Sequence, residues 1–402
     1  MSDHRLCLPF WEGFLVSSLD TLDGTVLVRL EADPSCARYC SHCGSLASVV
    51  HETSCRTVRD MPMAGYAVRL EVGLPRLQCL SCGRRCTQRV SWLERHARVT
   101  RRLAEFVAHW SEKLPIAHVC ELTGLHWGTV HQIHRQDLER RLAALPVAEP
   151  KRLVMDEFAL FKGHRYATVV LDADTRRVLW VGEGRSRAAI RPFFEWLGPQ
   201  RCRAVQAVAM DMNTAFDLEV QHHCPQARVV YDLFHVIAKY GREVIDRVRV
   251  DEANRLRDQC GLRQIVKRAR WLLLRNRENV PADQQPKLDE LLAANQGLMT
   301  VYVMKTSLKE LWQISNAWQW RAAWRNWLAM ADNSGIEPLQ RFARKLAHYW
   351  RGILARVRWP MHTGQLEGIN NRIKVMKRMA YGYRDSDFFF LKIKAAFPGN
   401  PR

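Results

Sequence analysis

Three acidic residues stand in apolar or basic company. Asp156 interrupts the run RLVMDEFAL, and Asp211 closes AVQAVAMD. Glu367 opens WPMHTGQLEGINNRIKVMKRMAYGYRD, whose other charged residues before Asp385 are basic: Arg372, Lys374, Lys377, Arg378 and Arg384. An ionised carboxylate inside an apolar strand is costly unless something compensates it. Two carboxylates brought side by side repel, and a divalent cation removes that conflict. Oxygen ligands beside a phosphate suit Mg²⁺ or Mn²⁺ better than zinc. A single acid at any of these places reads as a solvated edge residue. The three together read as a site that holds one or two divalent cations, with the basic residues after Glu367 drawing in an anion.

A second metal signature is made of sulfur. Cys40-Ser-His-Cys43 and Cys79-Leu-Ser-Cys82 are two CxxC pairs, each followed at once by glycine, Gly44 and Gly83. Each pair can grip one side of a tetrahedral Zn²⁺, and a glycine suits the tight turn around the metal. Two such units flanking strands describe a zinc ribbon. Four thiolates leave no open position, so the zinc is structural. Cys36 and Cys86 lie nearby in sequence and either substitute as ligands or pack.

These groups need elements to hold them. Residues 22 to 90 alternate apolar and polar residues in runs such as TVLVRLEA and YAVRLEVG, which read as strands. Residues 97 to 143 change to helical spacing. Within them, Leu114 to Arg141 has the spacing of a helix-turn-helix, with Gly124 at the turn and Leu125, Val130 and Ile133 inward. His126, Trp127, Thr129, His131 and Gln132 then point outward, available to a DNA major groove. The two-proline stretch from Leu145 to Lys151 is a linker.

Beyond it, RLVMDEFAL, HRYATVVLD and RRVLWVGEG predict a three-stranded antiparallel meander, with turns at Lys162-Gly163 and Asp172-Ala-Asp174. A helix closed by Gly198, a strand ending at Asp211, a helix and the short strand ARVVYD complete the order β-β-β-α-β-α-β. In such a fold the first strand is central and the fourth lies beside it, so Asp156 and Asp211 become neighbours. Strand alternation lets only one of Asp156 and Glu157 face the metals. Asp172 and Asp174 read as turn formers. From Phe234 to Trp359 the pattern is helical, with tryptophans mostly at core spacing. Ile265 to Arg277 reads as one basic amphipathic helix available to a DNA backbone.

The chain has 402 residues, 47% hydrophobic, with net charge +20. An excess of this size, spread along the chain, favours a polyanionic partner, and nucleic acid is the commonest. No apolar run approaches the length of a membrane span. The first residues lack a basic region followed by an apolar core, so secretion is not expected, and a cytoplasmic protein with no membrane partner is. Twelve cysteines in such a chain point to metal ligands and buried thiols.

The motifs MDEFAL with KGHRYATVVLD, AMDMNTAFDLEVQHHCPQARVVYDLFHV, and WPMHTGQLEGINNRIKVMKRMAYGYRD resemble those of DDE transposases of the ISL-three insertion-sequence family. The zinc ribbon and helix-turn-helix in front agree with it, and the resemblance runs from about residue 34 to 398. It implies an α/β catalytic core of ribonuclease H-like type with an all-α insertion, preceded by the zinc ribbon and the helix-turn-helix. The expected segments are 1–93 (ribbon), 94–145 (helix-turn-helix), 151–238 (first part of the core), 239–357 (insertion) and 358–402 (final core helices). It implies Asp156, Asp211 and Glu367 as the metal-binding triad for two Mg²⁺ or Mn²⁺ ions. It also implies Asp232-Leu-Phe-His235 as an Asp-x-x-His signature. His235, three residues from Asp232 on a helix, is expected to pair with it and to contact the scissile phosphate or leaving oxygen.

Cys40, Cys43, Cys79 and Cys82 would hold one zinc. His126, Trp127, Thr129, Gln132, Arg372, Lys374, Lys377 and Arg378 would touch DNA. The partners would be double-stranded DNA, as element ends and target, and further copies of the chain in a dimer or larger assembly. One departure is Cys86, where similar proteins place an aromatic residue. The competing readings are a zinc ribbon and helix-turn-helix regulator without chemistry, and a nuclease without strand transfer.

Overall fold

The alternating runs become strands and the 3.6-residue runs helices in a computed structural model that describes residues 6–400, apart from 48, 162 and 164 and the side chains of Leu6 and Gln365. Lys162 of the expected Lys162-Gly163 turn lies outside the described residues. The chain divides into two compact units. One is Met1–Ala144 with Met376–Arg384, and the other is Leu145–Val375 with Asp385–Arg402.

In the first unit, β1 (Leu6–Cys7), β2 (Phe14–Leu22), β3 (Thr25–Ala32), β4 (Val49–Met63), β5 (Tyr66–Gln78) and β6 (Arg85–Thr87) form a sheet of order β1-β2-β3-β5-β4, with β6 on β5. One face buries Phe14, Val28, Leu30, Leu70 and Val72, the period-two residues of β2, β3 and β5. Helices α1 (Arg101–Lys113), α2 (Ile116–Thr123) and α3 (Trp127–Ala143) follow. They close on Leu103, Val107, Val119, Leu125 and Val130. The buried Asp60 of β4 joins sheet to helices, accepting from Trp11 Nε1 (2.8 Å), the Thr100 hydroxyl (2.6 Å) and Arg102 Nε (2.7 Å). Gly124 ends α2 at φ 63°, its N–H 2.7 Å from Cys120 O. That left-handed turn costs a β-carbon-bearing residue energy that glycine avoids.

The second unit opens with β7 (Arg152–Phe161), β8 (Arg165–Asp172), β9 (Val178–Glu183), α4 (Arg187–Ala204), β10 (Ala207–Met210), α5 (Thr214–His223) and β11 (Arg228–Tyr231). The sheet order is β11-β10-β7-β8-β9, so β7 is central as expected. β8 runs antiparallel to β7 and β9 antiparallel to β8, while β10 and β11 add strands parallel to β7. β10 is buried along its whole length, as a strand covered on both faces must be.

The helix expected to close at Gly198 does not stop there. Gly198 has φ 77° and breaks the helical geometry, but Pro199 starts a further turn that reaches Ala204. Proline is well placed to begin a helical turn, because that position needs no N–H donor. The hairpin acid Asp172 accepts from the Asp174 N–H (2.9 Å) and the Thr175 hydroxyl (2.8 Å), as a turn former should. The fully buried Glu219 of α5 is held by Arg191, Arg187 and His223. The arginines keep its carboxyl well below the usual range, at about 2.

The helical segment comprises α6 (Leu233–Tyr240), a π-turn (Gly241–Ile245), α7 (Asp246–Arg255), α8 (Cys260–Arg268), α9 (Arg270–Leu274), α10 (Gln285–Ala294), α11 (Gln296–Glu310), α12 (Ala317–Asn333), α13 (Glu337–Ala347) and α14 (Trp350–Ala355). α15 (Gly364–Met379) and α16 (Ser386–Ala396) end the chain. The single basic helix expected from Ile265 to Arg277 is in fact two helices, broken at Ala269, followed by a 3-10 turn at Arg277–Asn279. Val266, Ala269 and Leu273, at spacings of three and four, all reach the core. Lys305 of α11 closes α9, its buried ammonium donating to Leu273 O (2.8 Å) and Arg275 O (2.7 Å). Trp312, Trp320, Trp324 and Trp327 are buried, as their spacing predicts, while Trp271 and Trp318 are exposed. One apolar core runs from Leu153, Met155 and Phe193 under the sheet to Tyr240, Trp320 and Phe342 among the helices.

Candidate active site and metal centres

Asp156 lies in the middle of β7, and Asp211 directly follows β10. The two strands pair in parallel with Ala207 opposite Arg152 and Ala209 opposite Val154. The same register carried two residues further sets Asp211 beside Asp156. Asp156 Oδ1 accepts from the Glu157 N–H at 2.8 Å, and its Oδ2 accepts from Asn370 Nδ2 at 2.8 Å. Burial raises the Asp156 carboxyl above the usual range, and the Asp211 charge adds to the rise.

Asp211 Oδ1 accepts from the Met212 N–H at 2.6 Å, and its Oδ2 lies 3.4 Å from His235 Nδ1. This corrects the expected pairing of His235 with Asp232. Asp232 is buried at the start of α6, and its carboxylate accepts the Thr363 hydroxyl at 2.5 Å. A residue at a helix start has its side chain turned out of the helical spiral, so spacing by three does not bring it onto the His235 face.

Two contacts therefore seat the start of α15. Thr363 holds Asp232, and Asn370 holds Asp156. These anchors are seven residues apart, two helical turns, so they share a face. Glu367 lies between them, four residues after one and three before the other. Leu366, Ile369 and Ile373 fill the buried side of the helix, and Glu367 sits at its exposed rim. Among the described residues, the three carboxylates do not close to within 4.8 Å of one another.

Glu157, on the opposite face of the strand, does other work. It accepts from Asn213 Nδ2 at 2.6 Å and pairs with Arg185 at 3.5 Å. Asn213 in turn caps α5 by accepting from the Ala215 N–H. Burial pushes the Glu157 carboxyl up as well. Asn370 is the contact that the sequence reading missed. Its signal was position, one helical turn after Glu367.

The aspartates, Glu367 and the Asn370 carbonyl are all oxygen donors, as a hard cation requires. Asn370 Oδ1 is buried with no hydrogen-bond partner. A buried carbonyl without a partner is uncommon, and it suits a site that receives a hydrated cation.

In the first unit the Sγ atoms of Cys40, Cys43, Cys79 and Cys82 lie within 4.8 Å of one another. Cys40–Cys82 and Cys43–Cys79 are 3.8 and 3.6 Å apart. A tetrahedron with Zn–S near 2.3 Å has edges of about 3.8 Å, so the thiols fit zinc. Both knuckles fold alike. Gly44 N–H reaches Cys40 O and Gly83 N–H reaches Cys79 O, each at 2.9 Å, with both glycines at positive φ. Cys86 of β6 places its sulfur 3.2 Å from that of Cys40.

His126 caps α3, its Nδ1 accepting from the Gly128 N–H at 3.2 Å. Trp127 is 53% exposed and its ring stacks on His131 at 4.9 Å. Gln132 is exposed, while Thr129 and His131 are half-buried. On α15, Arg372, Lys374 and Arg378 are exposed and Lys377 is half-buried. No described helix is long and apolar enough to cross a membrane.

Comparison with known proteins gives three family matches. Residues 153–393 match a family described as transposase, residues 88–136 the helix-turn-helix domain of transposase family ISL3, and residues 37–82 the zinc-finger of transposase IS204/IS1001/IS1096/IS1165. The transposase for insertion sequence element IS1001 of Bordetella parapertussis is 49% identical over the full length of both chains. The transposase for insertion sequence element IS1557 of Mycobacterium tuberculosis is 27% identical over 91% of this chain and 87% of its own.

Proposed function

Given that the chain belongs to the ISL3 family of transposases, we propose that it is a DNA transposase of an insertion sequence whose chemistry is carried by Asp156, Asp211 and Glu367. One observation carries the assignment. Asp156 and Asp211 stand on neighbouring parallel strands, and α15 is bonded directly to Asp156 through Asn370, with Glu367 one turn away. The strand order, with the first strand central and the last two parallel to it, supports reading the core as ribonuclease H-like.

Asp156, Asp211 and Glu367 would hold Mg²⁺ or Mn²⁺, one or two ions. When bound, the ions supply activation of water and charge neutralisation at the leaving 3′ oxygen. The chain's own residues do the positioning. The Glu157 N–H and Asn370 hold both oxygens of Asp156, so its carboxylate is oriented before DNA arrives. His235 is oriented through Nδ1 by Asp211. Its Nε2, without a hydrogen-bond partner among the described residues, serves the scissile phosphate or the leaving oxygen.

Water displaces the 3′ oxygen at the element end, and the freed 3′-OH then attacks target DNA. Both are in-line displacements at phosphorus and need no serine or tyrosine nucleophile. Joining two ends requires at least a dimer. Asp232 ties the start of α6 to the entry of α15 and acts through that contact. The exposed face of α3 reads the element ends. Arg372, Lys374, Lys377 and Arg378 contact phosphates. An intact carboxylate set is what a regulator without chemistry would have no reason to keep.

The test is strand cleavage and joining by the purified zinc-loaded chain with Mg²⁺ and duplexes carrying the element ends. Asp211→Asn and Glu367→Gln should each abolish both reactions and still bind those duplexes. Near-normal nicking by either variant removes that residue from the site. Specific binding without any chemistry by the wild type returns the regulator reading.

A further inference from the structure

Asn370 is 8% exposed, and its two amide ends are in different situations. Nδ2 donates to Asp156 Oδ2 at 2.8 Å across 214 residues of sequence. Oδ1 is buried and has no hydrogen-bond partner. The orientation of the amide is decided by chemistry, since only the NH₂ end can face an ionised carboxylate. The carbonyl must then face elsewhere, at a cost of about 1–3 kcal/mol for a buried acceptor left unsatisfied. A leucine would fill this place on α15 without an unsatisfied carbonyl, at the loss of the donor to Asp156 Oδ2. The neighbouring Leu366, Ile369 and Ile373 show that the helix face accepts apolar side chains.

We propose that Asn370 is a positioning residue of the metal site. Its N–H fixes the Asp156 carboxylate as a ligand, and its Oδ1 accepts from the water shell of the bound divalent cation. This rests on the carboxylate reading above. It gives α15 two functions on one face, a ligand at Glu367 and the orientation of another ligand at Asn370. It also accounts for a polar residue where packing alone would favour an apolar one. Groups that orient a metal ligand in this way contribute about 10–100-fold in metal affinity.

The experiment measures Mn²⁺ affinity by electron paramagnetic resonance on the full zinc-loaded chain bound to end DNA, with DNA alone subtracted. Thermal midpoints without divalent cation are measured in parallel. The variants are Asn370→Ala, the apolar near-isostere Asn370→Leu, Asn371→Ala as a neighbouring control, and Asp156→Asn. Positioning predicts that both Asn370 variants weaken Mn²⁺ by about 10-fold or more and that Asn371→Ala matches wild type. Either Asn370 variant leaves Asp156 Oδ2 without its donor, so the midpoint alone decides nothing. A purely structural role predicts a lower midpoint with Mn²⁺ affinity unchanged, and that result overturns the inference. If Asp156→Asn loses Mn²⁺ while both Asn370 variants keep it, the inference fails and the carboxylate reading stands. If Asp156→Asn also keeps it, both fall.

Discussion

Replacing Asp156 by asparagine should move stability and activity in opposite directions. The new side chain keeps the size of the old one. Its oxygen still accepts from the Glu157 N–H, now 2.8 Å from Asp156 Oδ1. Its NH₂ end meets the NH₂ of Asn370, a clash that a half-turn of the Asn370 amide removes by presenting Oδ1. The count of satisfied groups is then unchanged, because one unpartnered amide end replaces the other. Two unfavourable terms are relieved, the burial of a charge and its repulsion by Asp211. Gains of this kind are on the order of 1 kcal/mol. In a unit of this size that raises the midpoint by about 2–4 °C.

The pH dependence has a definite sign. A carboxyl whose folded pKa lies above its unfolded value makes the fold lose stability as pH rises from the unfolded value through the folded one. Asp156→Asn should remove that contribution. Divalent cation reverses the order of the midpoints. At a hundredfold excess over the dissociation constant, binding stabilises the wild type by about 2.7 kcal/mol and gives the variant little. Cleavage of end DNA should fall by about 10³-fold, equivalent to about 4 kcal/mol of transition-state stabilisation. Melting curves with and without Mg²⁺, beside single-turnover cleavage, test all of this. A variant that melts below wild type without Mg²⁺ would make Asp156 a structural residue. A variant that cleaves normally would remove it from the chemistry.

Other sites give sharper single outcomes. Cys40→Ser should lose the one zinc per chain by metal analysis and unfold the ribbon; a full zinc content would exclude Cys40 as a ligand. His235→Ala should slow cleavage by about 10²-fold with zinc and midpoint unchanged, and an early melt with normal cleavage in the cold would make it structural. Gly352→Ala should destabilise by about 1–3 kcal/mol, because its β-carbon would stand 2.4 Å from Cε2 of the buried Tyr231 ring. A midpoint equal to wild type would show that α14 can move off β11.

Much of the architecture was legible because it is local. Period-two runs such as TVLVRLEA and RYATVVLD bury alternate or all residues wherever they pair, so they became β3 and β8. The CxxC-Gly knuckles close within a few residues of themselves, and so does the turn at Gly124. The adjacency of Asp156 and Asp211 followed from strand order, since a strand that returns through a helix to a central strand pairs beside it. Even the local reading has limits. Helical geometry is interrupted at Gly198 and at Ala269 and resumes beyond each, which the apolar spacing alone did not mark. Side-chain partnerships were not legible. Asp232 reaches Thr363 across 131 residues, and Asp156 reaches Asn370 across 214. His235 turns to Asp211, not to the acid three residues before it. Sequence spacing constrains only groups on one element. Which distant carboxylate, hydroxyl or amide meets which depends on where α6 and α15 settle against the sheet, and long-range packing sets that.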